Sequence, residues 1–258
     1  MRYFIYSYNR KSKGARALKR GMVAEGHRVL LRDNTPLKRH QLRPRATDLV
    51  INWGNSNDPP NWSAAWGYNS STSIRVASNK LLALNDLRDA GVAVPRFTTD
   101  IEEAKAWGTW VVCRRLLRAS EGRGIVLAKT PEEVVRAPLY VQFRRKTNEY
   151  RVHVVNGTIR LSHEKRLCKR ENRPVDYNPH ICNHSNAWKF CKVVTPLPEC
   201  VKENAIKAVE ALHLNFGAVD IIYNKKFDKC YVLEVNTAPG FCEGSETQQA
   251  YVRAFTNA

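Results

Sequence analysis

YVLEVNTAPGF, residues 231–241, begins as a β-strand and then carries polar groups where a strand is usually apolar. Tyr231, Val232, Leu233 and Val235 suit a half-buried strand, whereas Glu234 and Asn236 interrupt it. Residues i and i+2 of a strand point to the same face, so this carboxylate and amide stand side by side. Pro239 and Gly240 then turn the chain. Asp220, in GAVDIIY, is a second carboxylate inside an apolar strand, 14 residues upstream, with the turn signal NKKFDK between. A hairpin of that length brings Asp220 beside Glu234 and Asn236. Buried unpaired acids are costly, and three oxygen-bearing side chains on one sheet face suit Mg²⁺, which keeps positions for phosphates and water. The competing reading is a salt bridge to one of the many Lys or Arg residues.

The remaining chain predicts an α/β (α+β) protein. Residues 2–8, a helix over 14–25, HRVLLR and DLVINWG form a β-α-β-β unit. Residues 54–73 read as a long loop, rich in Asn, Ser, Pro and Gly, that closes a small N-terminal domain over 1–75. From 76 to 258 the pattern is a capped helix at SNKLLALNDLRDAG and strands at 109–114 and 123–128. A short helix at TPEEVVRA follows, then strands at 138–143, 149–155 and 158–163, and a helix at PECVKENAIKAVEAL before the final strand pair. Residues 164–192 read as irregular and basic.

The 258 residues carry a net charge of +18 in two blocks. Residues 1–50 hold 13 Lys and Arg against 3 Asp and Glu, net +10, and residues 111–173 hold 16 against 6, also net +10. Such blocks attract nucleotide, nucleic acid or an acidic polypeptide, or serve as solvated faces. No run of about 18 apolar residues is present, so no membrane span is expected. The seven cysteines, an odd number without a compact framework, point to reduced thiols in a cytoplasm. His180, Cys182 and His184 in HICNH match no paired zinc pattern.

Phosphate-binding candidates lie upstream of the acids. Gly122 and Gly124 in SEGRGIV would let backbone N–H groups approach a phosphate, although G-x-G between strands is also an ordinary tight turn. Lys80, Arg114, Arg151, Lys165 and Arg166 add cations.

These segments, in this order from about Ser78 to about Glu246, resemble the ATP-grasp superfamily, with the ribosomal-protein glutamate ligases (RimK-like) as the nearest subgroup. SNKLLALNDLRDAGVAVP is similar to the family's entry segment, and WVVCRR with SEGRGIVL to its phosphate strand and mobile Gly loop. LYVQF is similar to the adenine hinge, EYRVHVVNG to the ribose strand, and FGAVDIIYN with YVLEVNTAPG to the Mg²⁺ strands. Glu164-Lys165-Arg166 is similar to the subgroup's E-R-R. The resemblance implies an ATP-grasp fold with a small N-terminal α/β (pre-ATP-grasp) domain, and an ATP-grasp domain of two α+β subdomains with ATP between them. It implies Asp220, Glu234 and Asn236 as ligands of one or two Mg²⁺ ions, with Mn²⁺ as an alternative. Lys80, Arg114, Gly122, Gly124 and Asn183 would lie near the phosphates, Gln142 and Phe143 around adenine, and Glu149 at the ribose. Arg151, Lys165 and Arg166 would be catalytic, facing the γ-phosphate or an acyl phosphate. Two positions depart from the pattern: Arg114-Arg115 stands where the family usually has lysine-proline, and Ile181 where the subgroup has arginine.

The implied activity is ADP-forming ligation of a carboxylate to an amine through an acyl phosphate. The first basic block adds the expectation of an acidic acceptor: a protein, a peptide or modified nucleic acid. Two alternatives remain at this stage, a phosphotransferase on the same fold, with His153 or His163 as base, and a non-catalytic nucleic-acid-binding protein.

Overall fold

The computed structural model describes residues 2–35, 44–59, 67–119, 122–174, 187–193 and 195–257. The N-terminal part is β1 (Arg2–Ser7), α1 (Lys13–Ala24), β2 (Arg28–Arg32), β3 (Leu49–Trp53) and β4 (Gly67–Tyr68). Its four strands are parallel in the order β2-β1-β3-β4. RYFIYS is buried over Tyr3–Ser7, as a near-continuous apolar run in a parallel sheet should be.

Next come α2 (Ser71–Ala77), α3 (Lys80–Asp89), β5 (Phe97–Thr98), α4 (Ile101–Lys105), β6 (Val111–Arg114), β7 (Ile125–Ala128) and β8 (Leu139–Gln142). Their four strands form an antiparallel sheet, ordered β5-β8-β6-β7. The Asn79 side chain caps α3 by accepting from the backbone N–H groups of Leu81 and Leu82. The last part is β9 (Asn148–Val155), β10 (Thr158–Leu167), β11 (Trp188–Lys192), α5 (Glu199–Ala211), β12 (Phe216–Asn224), β13 (Lys229–Asn236) and α6 (Glu246–Thr256). Its five strands are antiparallel, ordered β11-β10-β9-β12-β13.

The five-stranded sheet separates core from chemistry. Val152 and Val154 of β9 and Val219 and Ile221 of β12 pack against Val201, Ala205, Ala208 and Val209 of α5, with α2 and α3 beside them. Those α5 positions follow helical spacing. Period-2 alternation therefore sends Glu149, Arg151, His153 and Asp220 to the opposite face.

Several segments differ from the sequence expectation. The helix expected at TPEEVVRA is a single 3-10 turn at Pro131–Glu133, and β5 and α4 occupy a stretch for which no element was expected. The loop expected over 54–73 gives way to β4 and the start of α2, where Ser70 caps the helix by accepting from the Ser73 N–H at 3.0 Å. Within 164–192, β10 runs on to Leu167 and Trp188–Lys192 pairs with it as an edge strand. α6 lies in a stretch for which no element was expected, although its signal is present. Ser245 accepts from the Gln248 N–H at 3.2 Å, an S-x-x-Q start, ahead of buried Tyr251, Val252 and Phe255.

The apolar core crosses the expected 75/76 boundary. Tyr3, Ile5, Leu18 and Trp53 share one cluster with Phe216, Tyr251 and Phe255. Trp53 stacks on Phe216 at 5.3 Å between ring centroids. Gln248 Nε2 donates to the Ala17 carbonyl at 2.5 Å, tying α6 to α1. Among the described residues no helix is long and apolar enough to cross a membrane.

Candidate active site

β9, β10, β12 and β13 bring their polar side chains to one sheet face. Asp220 stands opposite both Arg151 and Glu234 in register. Arg151 grips Asp220 with both arms of its guanidinium, Nε to Oδ1 and Nη2 to Oδ2, each at 2.7 Å. Lys165 Nζ donates to Asp220 Oδ2 at 2.8 Å and to Glu149 Oε1 at 2.6 Å. Lys146, which the sequence reading did not single out, pairs with the other oxygen of Glu149. Lys80, at the first turn of α3, donates to Glu234 Oε2 at 2.6 Å. Asn236 Nδ2 donates to Glu234 Oε1 at 3.1 Å. The two Mg²⁺-type acids thus sit together with the amide, as their spacing requires, and each is also ion-paired.

Only paired charges tolerate this degree of burial: Asp220 is 3% exposed and Glu149 4%. Burial alone would raise the Asp220 carboxyl, but Arg151 and Lys165 hold it well below the usual carboxylate range. Burial would likewise raise Glu234, and Lys80 offsets it, leaving a value of about 2. Burial would lower Lys165, yet Asp220 and Glu149 keep it above the ordinary lysine value. Arg114, at the end of β6, faces Glu234 from the other sheet, and burial lowers its value.

His153 lies two residues along β9 from Arg151, on the same face. Its Nδ1 is 3.0 Å from the Tyr251 hydroxyl, and its ring meets His163 edge-on at 5.5 Å. Burial, then Arg151 and His163, push its value down to about 3. His153, Glu234 and Asp220 all have folded values below their unfolded ones. Their stabilisation is complete above the unfolded values and is lost as pH falls toward the folded ones. Stability should therefore decline from about pH 6.5, through His153, and more steeply below about pH 4.5, where the two acids join. His153→Gln should flatten the limb between those two pH values. Urea midpoints across this range test it; a wild-type midpoint constant down to pH 4.5 would contradict the buried neutral histidine.

The remaining sequence-derived residues divide. Gly122 and Gly124 form the turn between β6 and β7 in the left-handed region, φ 75° and 73°. A Cβ on Gly124 would come within 2.9 Å of Leu116. Gln142 and Phe143 lie where the two antiparallel sheets meet, with Trp110 and Phe143 rings 5.3 Å apart. Their backbone N–H groups already donate, to Arg96 O at 2.8 Å and Trp110 O at 2.9 Å. The Gln142 Oε1 and Arg144 Nε atoms there are buried without a hydrogen-bond partner among the described residues. Arg166 stands apart. Strand alternation points it away from Lys165, and it is exposed and paired with Glu164 at 2.6 Å. Asn183, with His180, Cys182, His184 and Ile181, lies outside the described residues. Phe190 of β11, also missed from sequence, covers Arg151 at 4.5 Å from its ring centroid.

Among the described residues no group of three His, Cys, Asp or Glu side chains could hold a metal ion by itself. Two carboxylates and an amide fit Mg²⁺ bound together with nucleotide phosphates rather than in an all-protein cage. Around them stand Lys80, Arg114, Lys146, Arg151 and Lys165, five cations against the three acids Glu149, Asp220 and Glu234. That positive excess matches a polyphosphate, and the orphaned Gln142 and Arg144 atoms match a polar heterocycle.

Comparison with known proteins agrees. A probable alpha-L-glutamate ligase of Psychromonas ingrahamii is 25% identical over 96% of this chain and 90% of its own. The structure of the ATP-grasp ligase PsnB with its minimal precursor superposes with a TM-score of 0.71 at 13% identity, covering 98% of each chain. A RimK domain ATP-grasp protein from Sphaerobacter thermophilus gives a TM-score of 0.64 at 17% identity, covering 99% of this chain and 98% of that one. No protein-family model matches the chain. The chain therefore has an ATP-grasp fold. Taken with its relatives, the chain is an ATP-dependent ligase of the carboxylate–amine class, similar to the RimK-like enzymes.

Proposed function

We propose that this ligase forms an amide bond in two steps. A substrate carboxylate attacks the γ-phosphorus of ATP, giving an acyl phosphate and ADP. An amine then attacks the acyl carbon, loses a proton, and phosphate leaves. The observation that carries this reading is the buried, positively biased cluster around Asp220 and Glu234. A preset field of this kind stabilises charge on a transferring phosphoryl group without reorganising at the moment of reaction.

In this reading Lys80 and Arg114 contact the phosphates, and Arg114 does so with a planar fork rather than a point charge. Arg151 and Lys165 face the acyl phosphate. The Gly122–Gly124 turn covers the nucleotide and keeps water from the intermediate. Gln142 and Phe143 line the adenine slot, Glu149 meets the ribose, and Asn183 lies near the phosphates. Asp220, Glu234 and Asn236 would hold the magnesium, one or two ions, with Mn²⁺ as an alternative. The metal would screen phosphate charge and orient the γ-phosphate. PsnB, a fold neighbour, has been described with Mg and ADP, which supports this pairing. Because Lys80, Arg151 and Lys165 pair with these acids, nucleotide binding would exchange ion pairs rather than expose bare carboxylates. Arg166 receives no role.

The acceptor is proposed to be acidic and polymeric. The net charge of +18 supports an acidic acceptor, and fold neighbours described with precursor peptides, PsnB and the macrocyclase MdnC, support a polymeric one. An ADP-release screen tests the whole reading: purified protein, ATP, amino acids and acidic peptides, with and without Mg²⁺, and products read by mass spectrometry. The expected result is Mg²⁺-dependent ADP release that needs both an acid and an amine, with a product lighter than their sum by one water. ADP release with a phosphorylated hydroxyl and no amine would make the protein a kinase. Salt-sensitive nucleic-acid binding without turnover would make it a binding protein.

A further inference from the structure

The loop that follows Asn236 leads into a basic groove that none of the proposed catalytic roles uses. The backbone of this loop rests on the start of α1: a Cβ on Gly14 would lie 2.9 Å from the Pro239 carbonyl oxygen and 3.3 Å from Trp53 Nε1. Just beyond, a cavity of about 240 Å³ is lined by Lys13, Arg16, Ala17, Arg20, Phe241 and Glu243. A second cavity of about 350 Å³ continues along α1, lined by Arg10, Arg16, Lys19, Arg20 and Leu31. Arg16 and Arg20 line both, so the two cavities adjoin along the helix.

Its charge is not balanced internally. Arg10 pairs with Asp33 at 3.0 Å and Arg20 with Glu243 at 2.6 Å. Lys13, Arg16 and Lys19 have no ion-pair partner among the described residues. Helix α1, KGARALKRGMVA, holds no acidic residue at all. Lys13 with Arg16, Arg16 with Lys19, and Arg16 with Arg20 are like-charge pairs at i,i+3 or i,i+4, a spacing that destabilises a helix. An anionic occupant would reverse that penalty.

We infer that this groove binds an acidic polypeptide segment of the acceptor and leads it toward the Pro239 loop and the catalytic face. The inference rests on the ligase reading for the identity of the occupant. Three observations favour polypeptide over nucleic acid. The groove is concave, and its walls at Leu31, Ala17 and Phe241 are apolar beside the cations, which suits a carboxylate on an aliphatic arm. It also adjoins the loop that extends from the metal-binding strand, so a bound chain is contiguous with the reacting centre. The inference differs from a general attraction to the first basic block, because it assigns the contact to one face of α1.

The test is direct binding of a fluorescein-labelled octaglutamate peptide, followed by anisotropy, to the full chain and to the Lys13→Glu/Arg16→Glu/Lys19→Glu variant. An oligonucleotide of equal charge is the comparison ligand, and AMP-PNP affinity reports an intact fold. The expected result is a loss of peptide affinity of about 10- to 100-fold in the variant, with peptide preferred over oligonucleotide in the wild type. The milder Arg16→Gln/Lys19→Gln variant should lose part of this, so the effect remains readable if charge reversal perturbs folding. Unchanged peptide affinity in both variants, or tighter binding of the oligonucleotide, overturns the inference. Because no turnover is involved, peptide binding in the groove without ADP release would count against the ligase reading alone.

Discussion

Glu234→Gln is expected to lower Mg²⁺- and ATP-dependent turnover about 10²–10³-fold, with the fold retained. The substitution keeps the shape of the side chain and its bond with Asn236, and removes one negative charge. That charge is offset by Lys80 at 2.6 Å, and Glu234 is about a quarter exposed at its side chain. Lys80, only 11% exposed at its side chain, then loses its counter-charge, so a stability cost of about 3 kcal/mol should accompany the kinetic effect. In the proposed complex the same carboxylate has a second task, holding the metal against the phosphates, and an amide oxygen does this far less well. The effect should fall on kcat, with raising Mg²⁺ restoring only part of it. Steady-state kinetics over a Mg²⁺ series, beside a thermal melt, checks this. Activity within tenfold of wild type would remove Glu234 from the phosphate site.

Phe216→Ala should destabilise the protein by about 3–5 kcal/mol. Phe216 is fully buried at the start of β12. It stacks on Trp53 from β3 and meets Tyr68, Tyr251 and Phe255 edge-on. Truncation would remove the aromatic plug where the N-terminal sheet, the five-stranded sheet and α6 meet. The same cluster predicts a single cooperative urea transition for the wild type, since the N-terminal part completes its apolar core only with Phe216 and α6. Two wild-type transitions with separate midpoints, or a change below 1 kcal/mol in the variant, would show that the N-terminal part folds on its own.

The polar face of the five-stranded sheet was largely legible in the sequence because it depends on strand parity. Asp220, Glu234 and Asn236 sit inside apolar strands separated by a turn, and period 2 dictates which side chains share a face. The same parity places Glu149 with Arg151, and it separates Arg166 from Lys165, although the family resemblance had grouped the two as catalytic. The S-x-x-Q start of α6 was equally present in the chain. Lys146 and Phe190 had no comparable signal, since neither a loop lysine nor an edge-strand phenylalanine announces its partner.

What the sequence determined by itself was the order of elements, the faces of the strands and the chemistry of the acids, because these follow from local periodicity and from the cost of burying charge. Only the tertiary structure decided which cation meets which acid. Lys80 reaches Glu234 across 154 residues, and Arg151 reaches Asp220 across 69. Only the fold, too, closes the N-terminal core with a helix from the other end of the chain and sets the basic face of α1 beside the Pro239 loop. Contacts at such separations depend on packing that no local pattern encodes.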